Sequence, residues 1–233
     1  MTETKHLIVN ADDFGASHGV NRGIIECHRY GVLTSTSLMV TGTAAEEAVG
    51  LSAQNPELSI GLHWDVIGED DRDFDLSDHA AVREEFDAQL ERFHELTGRG
   101  PTHVDSHRHT HLDDDVREFF AQLVAPLGVP LRCDGRVTFI GGFYAQWEWG
   151  VTELEHVSVQ ALQRILHEEV GAGWTEVSCH PGYMSDPEYS SSYNIEREAE
   201  VRTLTDPAIA AAIEEVGIRL ESYATYKEIG SAQ

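Results

Sequence analysis

The chain has 233 residues, of which 41% are hydrophobic and 24% are charged, fractions that argue against disorder, collagen-like repeats and coiled coil. It carries 16 lysines and arginines against 41 aspartates and glutamates, a net charge of −25. Nucleic acid and anionic membrane surfaces are therefore poor partners, because proteins bind both mainly through cationic side chains that neutralise phosphates.

A chain of this length buries a sizeable core, since folding at this size hides roughly 70% of the surface of the unfolded chain. Residues 1–233 are predicted to form one domain, and a metal site in it would be functional rather than structural. The cysteines Cys27, Cys133 and Cys179 form no CxxC pair, which favours a reducing compartment. The first residues show no signal peptide and no apolar run approaches 18 residues, so we expect a cytoplasmic protein.

Short apolar runs alternate with helical patterns along the chain. The predicted strands are His6–Asn10, Ser35–Val40, Leu58–His63, Thr102–Ser106, Pro130–Cys133, Thr175–Cys179 and Ile218–Tyr223. The predicted helices are Ser17–Tyr30, Ala44–Ala53, a long helix that carries Val82, Phe86, Leu90 and Phe93 and ends at Gly98, Asp113–Ala125, Val159–Val170, and one opened by Asp206 and Pro207. The stretch between Cys179 and Asp206 is predicted to be a loop.

This alternation, without hairpin signals, predicts parallel strands joined by right-handed crossovers. About seven such units in 233 residues indicate an α/β fold of the (β/α)-barrel type, similar to a TIM barrel with seven strands or an irregular closure. An open doubly wound sheet is the alternative. No glycine-rich dinucleotide fingerprint follows the first strand, which makes that alternative weaker.

Polar side chains collect where the predicted strands end. They are Asp12, Asp13, His63, Asp105, His107, Arg132 and His180. In a parallel α/β fold the carboxyl ends of the strands meet on one face, which is where barrel enzymes build their active sites. The sequence therefore predicts a single polar site at this rim.

The motif NADDFG places two adjacent carboxylates, Asp12 and Asp13, at the end of the first strand. One of them can bind a cation while the other accepts a proton from water. An ordinary strand-to-helix turn would also favour these residue types, since aspartate and glycine are common in turns. The motif by itself leaves both interpretations open.

The segment HVDSHRHTH puts His103, Asp105, His107, His109 and His111 on one side for as long as the strand lasts. Alternating histidines beside an aspartate favour metal chemistry. His107 is the first choice as a ligand, with a second imidazole from His63 of the motif GLH, which could also be a capping residue. Asp105 would orient an imidazole, while His109 and His111 would line the mouth of the site or brace a ligand.

The motif SCHPG leaves His180 at the rim, where it suits a general acid. Cys179 should point to the opposite side, which argues against a cysteine nucleophile. Arg132 is predicted to hold the general base or a substrate oxygen, or to form an ordinary ion pair. Trp147 and Trp149 could stack on a sugar ring or simply anchor their loop.

Taken in order, the motifs NADDFG, GLH, THVDSH, PLR and CHPG resemble those of the YdjC-like carbohydrate deacetylases, relatives of the polysaccharide deacetylases, with a weaker match in Ser192–Leu204. The resemblance implies a (β/α) barrel that removes acetyl groups from N-acetylated amino sugars such as chitin-type oligosaccharides. It also implies that Asp13, His63 and His107 bind one divalent metal ion, that Asp12 is the general base and that His180 is the general acid.

Two imidazoles and one carboxylate suit Zn²⁺, and the resemblance also admits Mg²⁺. One rival function is a metal-dependent phosphoesterase or amidohydrolase, because such barrels also place an HxH motif at a strand end. Another rival is a sugar-binding protein without catalysis. The expected partner is a small carbohydrate. The sequence does not fix the number of subunits, and a homodimer is one possibility.

Overall fold

The computed structural model describes residues 4–68, 72–148, 150–184, 186 and 189–230. Its strands are β1 (Lys5–Phe14), β2 (Ser35–Leu38), β3 (Ser59–Trp64), β4 (Val104–Ser106), β5 (Thr138–Ile140), β6 (Gly173–Cys179) and β7 (Ile218–Glu221). Its α-helices are α1 (His18–Tyr30), α2 (Ala45–Ala53), α3 (His79–Thr97), α4 (Arg117–Val124), α5 (Val159–Glu168), α6 (Ile195–Leu204), α7 (Pro207–Glu215) and α8 (Tyr223–Gly230).

All strand pairs run parallel, in the order β4-β3-β2-β1-β6-β5, and β7 pairs with the first half of β1. Within the described residues the hydrogen-bonded order begins at β4 and ends at β5, so the sheet curves into a barrel that these two strands do not close. The predicted α/β barrel is thus confirmed in its irregular form. The described helices include none with the length and apolar content needed to cross a bilayer.

Local signals fix where several helices begin. The hydroxyl of Ser17 accepts the N–H of Val20 at the start of α1, and Asp206 caps α7 with Pro207 in its first turn. The described helices pack apolar side chains against the outside of the sheet, in a continuous core that includes Phe14, Phe86 and Phe120. The crossovers therefore leave the strand ends free to carry polar residues.

The predicted strand Pro130–Cys133 is wrong. This segment makes a single bridge to β4, between Val104 and Leu131, and then turns, with Cys133 at a φ of 66°. The fifth strand of the fold is β5, which lies further along the chain in a stretch without a predicted element and pairs with β6 rather than with β4. The strand Pro130–Cys133 was predicted from its apolar content alone. A strand also needs a neighbouring strand to bond to, and β5 has one in β6.

The predicted loop between Cys179 and Asp206 is also wrong in part, because it contains the helix α6. This helix buries Glu196, Arg197 and Glu200 together with apolar residues such as Val201. Helices are recognised in a sequence by apolar residues that recur on one face. The buried face of α6 is largely polar, so the sequence shows no such recurrence and the helix was not predicted.

The carboxyl ends of the strands place the predicted residues on one rim. Asp12 and Asp13 lie in β1, where the register with β2 shifts between Ala11 and Phe14 and Asp13 has a φ of 68°. A bulge of this kind re-aims side chains. It allows two consecutive aspartates, which would point to opposite faces in a regular strand, to be buried in the same polar cluster.

Candidate active site

Asp13, His63 and His107 come together at the rim. The Asp13 Oδ1 atom lies 3.3 Å from His63 Nε2 and 3.3 Å from His107 Nδ1, and one ligand atom from each residue fits within 4.8 Å of the others. All three residues are buried. These are the three residues that the family resemblance implied as metal ligands, and the structure places them close enough to share one ion.

The tautomer of His63 tests whether this cluster suits a metal. His63 Nδ1 lies 2.7 Å from Asp105 Oδ1 and donates its hydrogen there, so in the neutral imidazole Nε2 carries the lone pair. That lone pair faces Asp13 Oδ1 without hydrogen-bond geometry. These two atoms repel each other unless a positive charge lies between them, which either a proton on Nε2 or a divalent cation would supply.

The charges around the cluster agree with this. Four buried carboxylates contact the guanidinium groups of Arg132 and Arg197; they belong to Asp12, Asp13, Asp105 and Glu176. When all six groups are ionised, two negative charges are left over. Burial alone would lower the pKa of His63, but the neighbouring Asp105 holds that pKa well above its usual value. The site thus attracts positive charge, and a divalent ion would balance it.

Asp12 is held by Arg132. The guanidinium donates from Nη1 to Asp12 Oδ2 and from Nη2 to Asp12 Oδ1, both at 2.7 Å. Burial would raise the pKa of Asp12, and Arg132 more than offsets this, so the pKa lies below its usual value. Asp12 is therefore an ionised carboxylate in a fixed orientation, beside the Asp13 cluster and able to accept a proton.

His180 faces the same carboxylate, with Nε2 3.7 Å from Asp12 Oδ2. Its ring packs edge-on against Tyr144 and Tyr193, and its buried Nδ1 has no hydrogen-bond partner among the described residues. Burial lowers the pKa of His180 to about 4. The imidazole is thus neutral at neutral pH, which differs from the protonated acid that its predicted role requires.

The carboxylates of Asp12 and Asp13 and the imidazoles of His63, His107 and His180 line a cavity of about 540 Å³. Its walls also include Phe139, Tyr144, Trp147 and Tyr193. A family model described as YdjC-like protein matches residues 6–215, most of the chain.

The chain belongs to the YdjC-like protein family.

Relatives of this YdjC-like protein support the assignment. It is 34% identical to a chitooligosaccharide deacetylase of Serratia marcescens, over 94% of this chain and 98% of that one. A crystal structure from Enterococcus faecalis V583, provisionally assigned as a cellobiose-phosphate cleavage protein, is 27% identical, with a TM-score of 0.82 over 96% of this chain and 99% of that one. A polysaccharide deacetylase from Bacillus cereus shares the fold, at 14% identity and a TM-score of 0.57 over 94% of this chain and 92% of that one. The resemblance seen in the motifs is confirmed.

The remaining predicted residues have distinct surroundings in the YdjC-like chain. His109 lines the cavity, and Trp147 stands at its wall with 60% of its surface exposed. His111 does not reach the cavity: its ring joins Ser106 Oγ to the backbone oxygen of Arg132, at 2.6 and 3.1 Å. The second tryptophan singled out in the sequence, Trp149, lies outside the described residues.

The regular alternation predicted for HVDSHRHTH stops early. The strand β4 ends at Ser106, and 107–112 form a 3₁₀ segment in which Arg108 and His109 have positive φ values of 50° and 54°. These left-handed conformations are unusual for residues other than glycine. They turn His109 towards the cavity, so the residue reaches the site by a local backbone kink rather than by strand periodicity.

No residue of α6 was predicted to belong to the site, yet side chains of this helix bond to residues of the site. Arg197 Nη2 donates to Asp13 Oδ2 at 2.6 Å. Glu200 accepts the backbone N–H of His180 and the hydroxyl of Tyr193, each at 2.5 Å. The weaker motif match in Ser192–Leu204 was the signal that could have pointed to these residues.

Glu200 should make the stability of the fold depend on pH. Burial raises its pKa from 4.5 to about 8, so the folded protein binds a proton that the unfolded chain releases between these values. The stability due to Glu200 is then present below pH 4.5 and is lost as pH rises to about 8, at up to about 1.4 kcal/mol per pH unit. Glu200→Gln should remove this part of the decline.

Thermal unfolding of both proteins at pH 5 and pH 8 measures the effect. Between pH 5 and pH 8 the melting temperature of Glu200→Gln should rise relative to that of the wild type. Glu198→Gln, an exposed change on the same helix, is the matched control and should follow the wild type at both pH values. An equal offset for Glu200→Gln at the two pH values would contradict the assignment.

Proposed function

We propose that this YdjC-like protein is a metal-dependent carbohydrate deacetylase that removes acetyl groups from N-acetylated amino sugars of chitin-type oligosaccharides. The observation that carries the proposal is the buried Asp13, His63 and His107 cluster beside an Asp12 that is held by Arg132. The Serratia marcescens relative, a chitooligosaccharide deacetylase, supports the substrate class. One deacetylase domain over 1–233 is the simplest organisation.

The metal would be held by Asp13, His63 and His107, with Asp105 fixing the His63 ring through Nδ1. When bound, a divalent ion supplies positive charge that lowers the pKa of water and stabilises the negative oxygen developing in acyl transfer. Two imidazoles and a carboxylate favour Zn²⁺ on ligand type, and Mg²⁺ is the second candidate.

The side chains of the protein supply the proton transfers. Asp12 takes the proton of the attacking water, because it is ionised and Arg132 fixes its orientation. His180 is neutral before the reaction, and its Nε2 lies 3.7 Å from Asp12 Oδ2. We infer that His180 receives its proton during the reaction, from Asp12, and delivers it to the amine nitrogen that leaves.

The aromatic cavity wall is expected to bind the sugar rings. Trp147 is exposed and meets Tyr144 at a right angle, with ring centroids 6.1 Å apart, so one face of the indole is available for stacking. Trp147→Ala should raise the KM for an N-acetylated disaccharide by about tenfold, the factor that 1.4 kcal/mol of lost contact gives. The kcat should stay within about twofold, because Trp147 touches none of the proton-transferring groups.

Steady-state kinetics on a disaccharide series tests this, with Tyr30→Ala as the control, since Tyr30 is an exposed aromatic residue at the end of α1. An unchanged KM for Trp147→Ala would show that Trp147 does not bind the sugar and only anchors its loop.

The function itself is tested by measuring acetate and free amine from N-acetylated mono- and oligosaccharides, with and without added Zn²⁺ or Mg²⁺. Stoichiometric acetate and amine that depend on metal support the proposal. Phosphate release from a phosphorylated substrate without acetate would indicate the phosphoesterase alternative. Sugar binding with every ion but no product would indicate a non-catalytic protein.

We place the enzyme in the cytoplasm, a proposal supported by Cys27, Cys133 and Cys179, which are free thiols in the structure. Two of them, Cys27 and Cys179, are buried, and burial raises the pKa of the Cys179 thiol. A thiolate nucleophile is thereby disfavoured, in agreement with a reaction carried by Asp12 and His180. A homodimer remains part of the proposal and can be measured by sedimentation.

A further inference from the structure

We propose that Glu176, held by the hydroxyl of Tyr223, is a positioning residue for the reaction. It fixes Arg132 in the orientation in which Arg132 holds Asp12. The inference rests on the proposed deacetylase function, because it gives Glu176 a role only through the general base of that reaction. Neither Glu176 nor Tyr223 belongs to any motif discussed above.

The guanidinium of Arg132 is held along two of its edges. On one edge Nη1 and Nη2 donate to Asp12, both at 2.7 Å. On the other edge Nε and Nη2 donate to Glu176 Oε1, at 3.1 and 2.6 Å. Asp105 Oδ2 adds a contact of 2.8 Å to Nη2. Because a guanidinium is planar, fixing the Glu176 edge also fixes the direction of the Asp12 edge.

Arg132 needs this support, because its backbone does not belong to a regular strand. Its N–H donates to the backbone oxygen of Val104 and its own oxygen accepts from His111, after which the chain turns at Cys133. The ring of Phe139 covers the guanidinium, 5.1 Å from ring centroid to Cζ, and so limits tilting. Among the described residues, the ion-pair partners of the guanidinium are carboxylates, and these limit its rotation within its own plane.

Glu176 is itself fixed. It lies in the middle of β6, is 1% exposed, and points into the barrel two residues before Ser178. Its second oxygen, Oε2, accepts the hydroxyl of Tyr223 at 2.7 Å. Both carboxylate oxygens therefore have partners, which leaves the side chain a single orientation.

Tyr223 is anchored in turn at the first residue of α8. Its backbone N–H donates to Ser35 Oγ at 3.1 Å, and its ring stacks on His103 with centroids 3.9 Å apart. The ring and hydroxyl are buried, at 1% exposure. A chain of direct contacts thus runs from the C-terminal helix through Tyr223, Glu176 and Arg132 to the general base Asp12.

The test compares two replacements of the same residue. Glu176→Ala removes both acceptors, and we expect kcat to fall by about 10- to 100-fold, part of the ~10²- to 10⁴-fold that a positioned base contributes. Glu176→Gln keeps an amide oxygen that can accept from Nε and Nη2, so it should recover kcat to within about tenfold of the wild type. KM and metal content should change by less than about twofold in both, since Glu176 contacts neither the cavity nor the metal cluster.

Tyr223→Phe removes only the hydroxyl and provides a second variant that keeps the packing of the core. It should lower kcat by a smaller factor than Glu176→Ala, with KM again unchanged. Tyr226→Phe removes a hydroxyl from the same helix α8 and is the matched control, with kcat expected to equal that of the wild type. Equal effects of the two tyrosine replacements would contradict the proposed contact.

A double-mutant cycle separates positioning from general damage. If Glu176 acts only through Arg132, the double variant Arg132→Ala, Glu176→Ala should have the kcat of Arg132→Ala alone. If the two residues act independently, their effects on kcat should multiply. Multiplied effects, or wild-type kcat in Glu176→Ala, would overturn the proposal.

A readout without turnover keeps this inference separate from the proposed function. In a crystal structure of Glu176→Ala we expect the guanidinium to rotate and to lose at least one of its two bonds to Asp12. If the wild-type protein releases no acetate but the guanidinium rotates, the deacetylase function fails and the contact from Glu176 stands. If the guanidinium keeps both bonds to Asp12, the positioning role is refuted whatever the reaction.

Discussion

Asp12→Asn is expected to lower kcat for acetate release by ~10²- to 10⁴-fold, the range measured for loss of a positioned general base. Asparagine keeps the size of the side chain and one oxygen that can accept from Arg132, but it cannot take a proton from water. Bound metal should stay at the wild-type level, because Asp13, His63 and His107 are unchanged. Acetate release and metal content are measured on the same preparation.

The control for this substitution is Asp75→Asn, which removes the same charge at an exposed position whose side chain bonds to Ser77. It should leave both kcat and metal content unchanged. Wild-type turnover in Asp12→Asn would remove Asp12 from the role of general base. Loss of metal from Asp12→Asn would instead show that Asp12 is a ligand.

Asp12→Asn should lower kcat and leave the metal bound, whereas the primary effect of Asp13→Asn should be loss of metal. Asp13 supplies the single carboxylate of the cluster and faces both His63 and His107 at 3.3 Å. Replacing residues that merely orient metal ligands costs about 10- to 100-fold in affinity, so replacing a ligand should cost at least that much. Turnover should fall with metal occupancy and recover in part when excess Zn²⁺ or Mg²⁺ is added.

Metal titration followed by calorimetry measures this affinity, and chelation of the wild-type enzyme is the parallel experiment. Chelated protein should lose acetate release and regain it on addition of the ion. Wild-type affinity in Asp13→Asn would place the ion elsewhere. Full activity after chelation would refute metal dependence, while leaving the proton-transfer roles of Asp12 and His180 open to their own tests.

The two substitutions together separate base from ligand in a pair of adjacent aspartates. The separation follows from the bulge in β1 and the positive φ of Asp13, which send one carboxylate to Arg132 and the other to the histidines. A regular strand would point them to opposite faces. The sequence motif contains both aspartates, and the backbone geometry gives them different partners.

Much of the rim was predictable because strand ends are marked locally. Asp12, Asp13, His63 and His107 each follow an apolar run, and parallel strands bring their carboxyl ends together whatever the details of packing. His180 follows in the same way from the break at Pro181 and Gly182. The sequence could also exclude Cys179 as a nucleophile, from the alternation of side chains alone.

The supporting residues could not be predicted in this way. Glu176 lies inside a strand, where a lone glutamate is usually taken to face solvent, and its bond to Arg132 is visible only in the folded structure. Arg197 and Glu200 lie in α6, whose buried face is too polar to give an amphipathic pattern.

By itself, the sequence determined the parallel α/β architecture, the rim and the residues whose chemistry is written into local motifs. The tertiary structure decided which carboxylate meets which cation: Arg132 with Asp12 and Glu176, and Arg197 with Asp13. The physical reason is distance along the chain. Apolar periodicity and turn signals act over a few residues, whereas these ion pairs join positions 44 to 184 residues apart, and only the folded chain brings them together.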